Sequence, residues 1–256
     1  VEVDGYGGVH PVDAPGLTDT NRAFGWVIAR GVALRSDGHS GYMLDGWGGI
    51  HPFGGAPPVQ VTAYYRGWDI ARGIVLRSDG QSGYVLDGWG GLHPFGVAGD
   101  LPPVPAVSAY WRGWDIARSI VLSPDGQSGY ELDGWGGIHP FGTSNDTPQY
   151  FASFAYWRGW DIARALVLLP DGSGGYVLDG WGGIHAFGAA PPIHSSVVWV
   201  GYDIARSMVI VPSHPTMGYV LAGDGDVVPF GGAPRVIVPG DGQFPGRDLA
   251  RGLAIS

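Results

Sequence analysis

The chain has 256 residues, 45% of them hydrophobic, enough to bury a sizeable core. A net charge of −9 excludes the basic footprint that nucleic acid or an anionic membrane surface requires. The absence of Cys removes disulfides, thiolate metal sites and cysteine nucleophiles, and no apolar run approaches the roughly 18 residues of a membrane-spanning helix.

Gly 47 and Pro 21 exceed a quarter of the chain, a level that without a period would indicate disorder. Here 11 Trp, 12 Tyr and 9 Phe supply burial that disordered chains lack. There is no Lys and there are only two Glu, Glu2 and Glu131, against 14 Arg and 21 Asp. Losing Lys and Glu removes the usual surface of helices, while Gly, Asp and aromatics favour strands and tight turns. The class read from this is all-β.

Along the chain two motifs alternate. The first is Asp-Gly-Trp-Gly-Gly-x-His-Pro-Phe, which starts at Asp45, Asp87 and Asp133, with close variants from Asp4 and Asp179. The sixth copy, Ala222–Phe230, is degenerate. The second is Arg-Gly-Trp-Asp-Ile-Ala-Arg at 66–72, 112–118 and 158–164, with weaker copies ending at Arg30, Arg206 and Arg251. These six arginines are spaced 42, 46, 46, 42 and 45 residues apart.

One unit reads as four short strands. Residues 70–76 form an apolar inner strand, 78–83 a turn, and 84–87 a second strand. Gly88–Gly91 turns into a third strand at 92–95, and a Pro-rich link leads to a short outer strand near 107–111 in the next unit. Four strands in about 40–45 residues describe a β-propeller blade. Ser256 aligns with Arg77 and Val1 with Tyr84, so only the six residues equivalent to 78–83 are missing between tail and head. The expected architecture is a six-bladed β-propeller of four antiparallel strands per blade. It forms one domain over 1–256, with one blade split between residues 1–26 and 247–256. Pairing of the C-terminal inner strand with N-terminal strands closes the ring and hides sheet edges.

The segment Asp79-Gly80, Tyr84-Val85-Leu86-Asp87 and Leu92-His93-Pro94-Phe95 resembles the blade core of NHL-type propellers. It departs from them by carrying Gly-Trp-Gly-Gly where that family has Gly-Asn-x-Arg, and the chain lacks the basic surface of their RNA-binding members. The Trp- and Gly-rich blades are also similar to propeller lectins of the tachylectin-2 type and to repeat domains of secreted actinobacterial proteins. Absent Lys and abundant Arg, Asp and Gly fit a GC-rich bacterial gene, and the likeness implies an extracellular or cell-surface protein.

If residue 77 faces 84, Arg72 lies opposite Trp89 and diagonal to Asp87, within reach of a charge-assisted hydrogen bond. The same register gives each of Arg30, Arg72, Arg118, Arg164, Arg206 and Arg251 a second-strand carboxylate from Asp4, Asp45, Asp87, Asp133, Asp179 or Asp224. Asp224 then compensates for Ala222. Six-fold repetition of such pairs points to a fold requirement, with a functional anion-binding ring as the alternative. His10, His51, His93, His139 and His185 fall on the third strands, too far apart to converge on one ion, and read as core or turn-capping residues. No metal site and no cofactor are implied, and no nucleophile elbow, HExxH or phosphate-binding glycine loop is present.

The turn between second and third strands and the link into the next inner strand emerge on the same face of a propeller. That face gathers Trp47, Trp89, Trp135 and Trp181 with Trp68, Trp114 and Trp160, beside Arg66, Arg112 and Arg158. Indoles stack on sugar rings while Arg and Asp hold hydroxyls, so repeated carbohydrate sites are one reading, and inter-blade filler is the other. The function expected is non-catalytic: a monomeric, multivalent, lectin-like module for carbohydrate. The alternative is a protein-interaction or spacer domain of a larger exported protein. A propeller hydrolase or lyase would instead show symmetry-breaking residues such as Glu131, His39, His194, His214 and Asp226 clustered at one channel mouth.

Overall fold

The computed structural model describes residues 1–13, 20–21, 24–142, 147–152, 155–195 and 197–255; Ser256, used above to align tail with head, lies outside them. These residues form six antiparallel sheets of three or four strands arranged as a six-bladed propeller. The inner strands Ala29–Leu34, Ala71–Leu76, Ala117–Leu122, Ala163–Leu168, Ala205–Val211 and Ala250–Leu253 neighbour one another in a closed circle. Their side chains line a narrow central channel. Among the described residues no helix is long and apolar enough to cross a membrane.

Ring closure follows the arithmetic of the repeats. Ala250–Leu253 pairs antiparallel with Glu2–Asp4, with Val3 opposite Gly252 and Glu2 opposite Leu253. The Val1 ammonium donates to the Ala254 carbonyl at 2.9 Å and the Ala254 N–H returns to the Val1 carbonyl at 2.9 Å. Gly8–His10 and Thr20–Asn21 complete this sheet.

Two expectations need correction. Four strands per blade is met only in the split, third and fourth blades; among the described residues the others have three. Where present, the outer strand is two residues long, Gln60–Val61 or Ala106–Val107, because flanking prolines remove the donors a longer ladder needs. The register also differs. The first hairpin closes with the Arg77 N–H on the Ser82 carbonyl at 2.8 Å, and Leu76 faces Gly83, so the turn is two residues shorter than read from sequence. A bulge then falls between Ala71 and Gly73, leaving Arg72 without a cross-strand partner. The same bulge recurs at Arg30, Arg118, Arg164 and Arg206.

The apolar core lies between blades. Six clusters each join adjacent sheets, for example Tyr84, Leu86 and Leu92 of the third blade with Ala117, Ile120 and Phe141 of the fourth. The second-strand tyrosine packs edge-on against the next blade's third-strand phenylalanine, Tyr42 with Phe95 and Tyr84 with Phe141. Each hydroxyl also donates to a carbonyl in the outer link, Pro57 or Pro103. Burying a ring of this size supplies about 2–3 kcal/mol of hydrophobic stabilisation, which is why the outer links need little regular structure of their own.

Candidate functional site: an aromatic face over an arginine–aspartate belt

The turn from second to third strand is built around its aspartate. Asp87 Oδ1 accepts the N–H groups of Trp89 at 2.8 Å and Gly91 at 2.9 Å, while Oδ2 accepts from His93 Nε2 at 2.7 Å. Asp4, Asp45, Asp133 and Asp179 do the same for their turns, each with His10, His51, His139 or His185. The histidines are therefore hydrogen-bonded within the turn. In the sixth blade Ala222 and Val228 stand at the aspartate and histidine positions together, so the pair is lost as a unit. Within the third-blade turn Gly90 adopts φ +86, a conformation that excludes other residues at little cost only for glycine.

The second-strand aspartates are thus not the arginine partners, a correction to the register-based pairing. The bulged arginine turns out of the ladder and reaches the next blade instead. Arg72 Nε donates to Asp115 Oδ1 at 3.0 Å and its Nη2 to Asp115 Oδ2, a two-pronged ion pair. The remaining donors go to Asp69 Oδ1, the Ala71 carbonyl and the Asp69 carbonyl. Arg30 reaches Asp69, Arg118 reaches Asp161, Arg164 reaches Asp203 and Arg206 reaches Asp248. Asp224 takes no arginine; its carboxylate accepts from the Asp226 N–H. The acid after Gly-Trp in the link, Asp69 or Asp115, is the residue that sequence reasoning missed, although it sits inside the quoted motif. Gly88 explains the proximity: a Cβ there would overlap the Asp115 carboxylate.

Above this belt the link and turn aromatics meet. Trp68 packs on Trp89 with ring centroids 5.1 Å apart, Trp114 on Trp135 at 5.0 Å and Trp160 on Trp181 at 5.0 Å, all near-perpendicular. Trp68, Trp114 and Trp160 are 42–45% exposed, whereas Trp47, Trp89, Trp135 and Trp181 are half-buried supports. Two further contributors were not read from sequence. Trp26 packs on Trp47 at 6.0 Å, and the exposed Tyr64, Tyr110 and Tyr156 flank Trp47, Trp89 and Trp135 at 6.3–6.4 Å. The signal was the tyrosine one position before the Tyr65, Trp111 or Trp157 that precedes each Arg-Gly-Trp. Trp111 and Trp157 fill space: each packs edge-on against a turn histidine, His139 or His185, at 4.9–5.0 Å. Arg66, Arg112 and Arg158 are exposed and make no hydrogen bond or ion pair among the described residues.

The symmetry-breaking residues do not assemble. No hydrogen bond or ion pair joins any two of Glu131, His39, His194, His214 and Asp226 among the described residues. Glu131 instead lies 1% exposed within its strand, and both its oxygens lack a partner. Burial, with a smaller contribution from Asp87, pushes its carboxyl up to about 9. Glu2 occupies the same repeat position in the split blade and is pushed up by burial to about 8. Among the described residues no group of three or more His, Asp or Glu has the arrangement to hold a metal.

No protein-family model and no curated protein matches the sequence. Solved structures do match in shape. A chain of a nidogen/laminin complex is similar at 15% identity and a TM-score of 0.59, covering 98% of this chain and 95% of that one. A functionally unknown protein from Desulfotomaculum acetoxidans DSM 771 is similar at 16% identity and 0.50, covering 97% and 94%. A putative 6-phosphogluconolactonase from Bacteroides uniformis ATCC 8492 is matched at 18% identity and 0.41; this chain spans 63% of its length. At 15–16% identity the first two likenesses concern the fold alone, and the fold is that of a β-propeller.

Proposed function

We propose that the chain is a non-catalytic binding module whose aromatic face takes carbohydrate at several equivalent sites. The reading rests on one observation: exposed Trp68, Trp114 and Trp160, each held upright by a half-buried turn tryptophan. A ring fixed in this way loses little entropy when a sugar stacks on it. Tyr110 and Tyr156 widen two of the platforms, and the unengaged Arg112 and Arg158 supply donors for hydroxyls. Single platforms bind weakly; repetition around a ring raises avidity without new contacts. In this reading the chain acts as a monomer outside the cell or on its surface. Probing an array of simple and polymeric glycans with the labelled chain tests the reading. Binding that falls in Trp68→Ala, Trp114→Ala and Trp160→Ala is expected, and an empty array contradicts it. The protein-interaction reading is favoured if those same substitutions abolish capture of a defined polypeptide while every glycan stays silent.

A further inference from the structure

The belt contains one position where its own rule is broken. Arg72, Arg118, Arg164 and Arg206 each place all five N–H donors on the carboxylates of two aspartates and on main-chain carbonyls. At the seam between the split blade and the second blade the corresponding link residue is Val27. The equivalence is geometric: a Cβ built on Gly5 meets Val27 Cγ1, as one on Gly46 meets Asp69 Oδ1 and one on Gly88 meets Asp115 Oδ1. Among the described residues Arg251 bonds only to Asp248 Oδ1 and the Ala250 and Asp248 carbonyls, so its Nε–H and one Nη2–H have no acceptor there. Among the described residues Arg30 bonds only to Asp69 and the Ala29 carbonyl, leaving one donor on each Nη. The two donors left on Arg251 are the fork that elsewhere grips the next blade's carboxylate.

The two guanidinium groups face neighbouring positions on adjacent inner strands and line the channel, whose free volume at this level is about 130 Å³. Their side chains are each 19% exposed, and the Arg251 Nε is not among the fully buried polar atoms that lack a partner. Burial first, then the Arg30 and Arg206 cations, holds the Arg251 guanidinium below its ordinary pKa against the pull of Asp248. Arg118 and Arg206 suffer the same burial, yet their two aspartates raise them. The seam thus carries one positive charge more than its surroundings compensate. Val27 places a methyl group where the other five gaps place a carboxylate, so the acceptor oxygens and the negative field are missing while the channel beside Arg30 and Arg251 stays open.

We infer that the Arg251–Val27–Arg30 gap is a binding site for a small carboxylate, or for the carboxylate end of a larger ligand entering the channel. A planar two-oxygen acid matches the two-donor fork of Arg251 and bridges to Arg30, as Asp115 bridges Arg72 to Arg118. A spherical halide offers one centre to both prongs and therefore bends both hydrogen bonds. This inference stands on the belt and is independent of the aromatic face.

Titration of the ¹⁵N-labelled chain with sodium acetate, replacing sodium chloride mole for mole, tests it through the arginine Nε–H signals. The expected result is a saturable shift of Arg251, with a smaller one at Arg30 and with Arg72, Arg118, Arg164 and Arg206 unmoved. The acetate midpoint should lie at least about tenfold below that of chloride or sulfate. Val27→Asp should move the Arg251 signal without acetate and silence the titration. Should that variant not fold, Arg251→Gln serves: it should fold and lose the acetate-dependent rise in melting temperature seen in the parent chain. No saturable Arg251 shift overturns the inference. So does equal response to acetate, chloride and sulfate, which would mark an unselective anion contact only.

Discussion

The third to fifth blades and the seam formed by the sixth, split and second blades share one plan but not one chemistry. In the regular stretch, every turn aspartate has its histidine and every belt arginine has a carboxylate on each side. Around the seam, Ala222 and Val228 replace one aspartate–histidine pair and Val27 replaces one belt acid. Yet the ring still closes, by strand pairing between the two ends of the chain. Closure therefore rests on the main-chain ladder and the inter-blade apolar clusters, and the polar devices are additions that can be lost one at a time. Where the aspartate and its histidine are lost together, as in the sixth blade, no histidine is stranded; where a pair is lost by half, as at Val27, arginine donors are left over.

Imposing the seam's residues on the regular stretch should reproduce that difference. The largest effect is expected for Asp87→Ala, which strands His93 and two turn N–H groups. Removing one partner of such a buried network costs about 3 kcal/mol and should lower the melting temperature by roughly 6–12 °C. The double variant Asp87→Ala/His93→Val copies the sixth blade and should recover part of that loss, a coupling read by a double-mutant cycle.

Glu131→Val copies the third blade, where Val85 occupies the position, and should stabilise by about 2 kcal/mol because two unsatisfied buried oxygens disappear. The pH dependence has a definite sign. A carboxyl raised from 4.5 to about 9 binds its proton more tightly when folded. Its contribution is whole below pH 4.5 and is lost as pH rises through about 9. Denaturant midpoints measured from pH 5 to 9 should thus fall less steeply in Glu131→Gln than in the parent chain.

Asp115→Val copies the seam directly and should cost about 1 kcal/mol, since a half-exposed carboxylate is partly replaced by water. The smallest change separates the two kinds of link aromatic. Trp114→Ala should leave stability within about 0.5 kcal/mol of the parent, whereas Trp111→Ala, which empties space against His139, should cost about 2 kcal/mol. Equal costs in thermal melts would mean that the exposed rings are structural.

Much of the architecture was legible because repetition averages over local ambiguity: a period near 45 residues gives six blades, and the pairing of Ala250–Leu253 with Glu2–Asp4 closes the ring. Partners of individual side chains were less legible. The pairing of Arg72 with Asp87 assumed a six-residue turn and an unbroken ladder, and both assumptions failed, because Ser82 closes the hairpin early and a bulge ejects Arg72. A period-two argument tolerates no such error. Inter-blade contacts such as Arg72 to Asp115 depend on how two sheets approach, which no local pattern encodes. Turn and link tryptophans do meet, but the tyrosines beside them were overlooked because they flank the motif without being part of it.

The most direct test of the account follows the eleven indole N–H signals during addition of a glycan identified on the array. The account predicts saturable shifts at Trp68, Trp114 and Trp160, smaller ones at their supports Trp89, Trp135 and Trp181, and none at Trp111, Trp157 or Trp199, which stands against Gly182 as Trp111 stands against Gly90. Shifts spread evenly over all these rings, or confined to the last three, would contradict it.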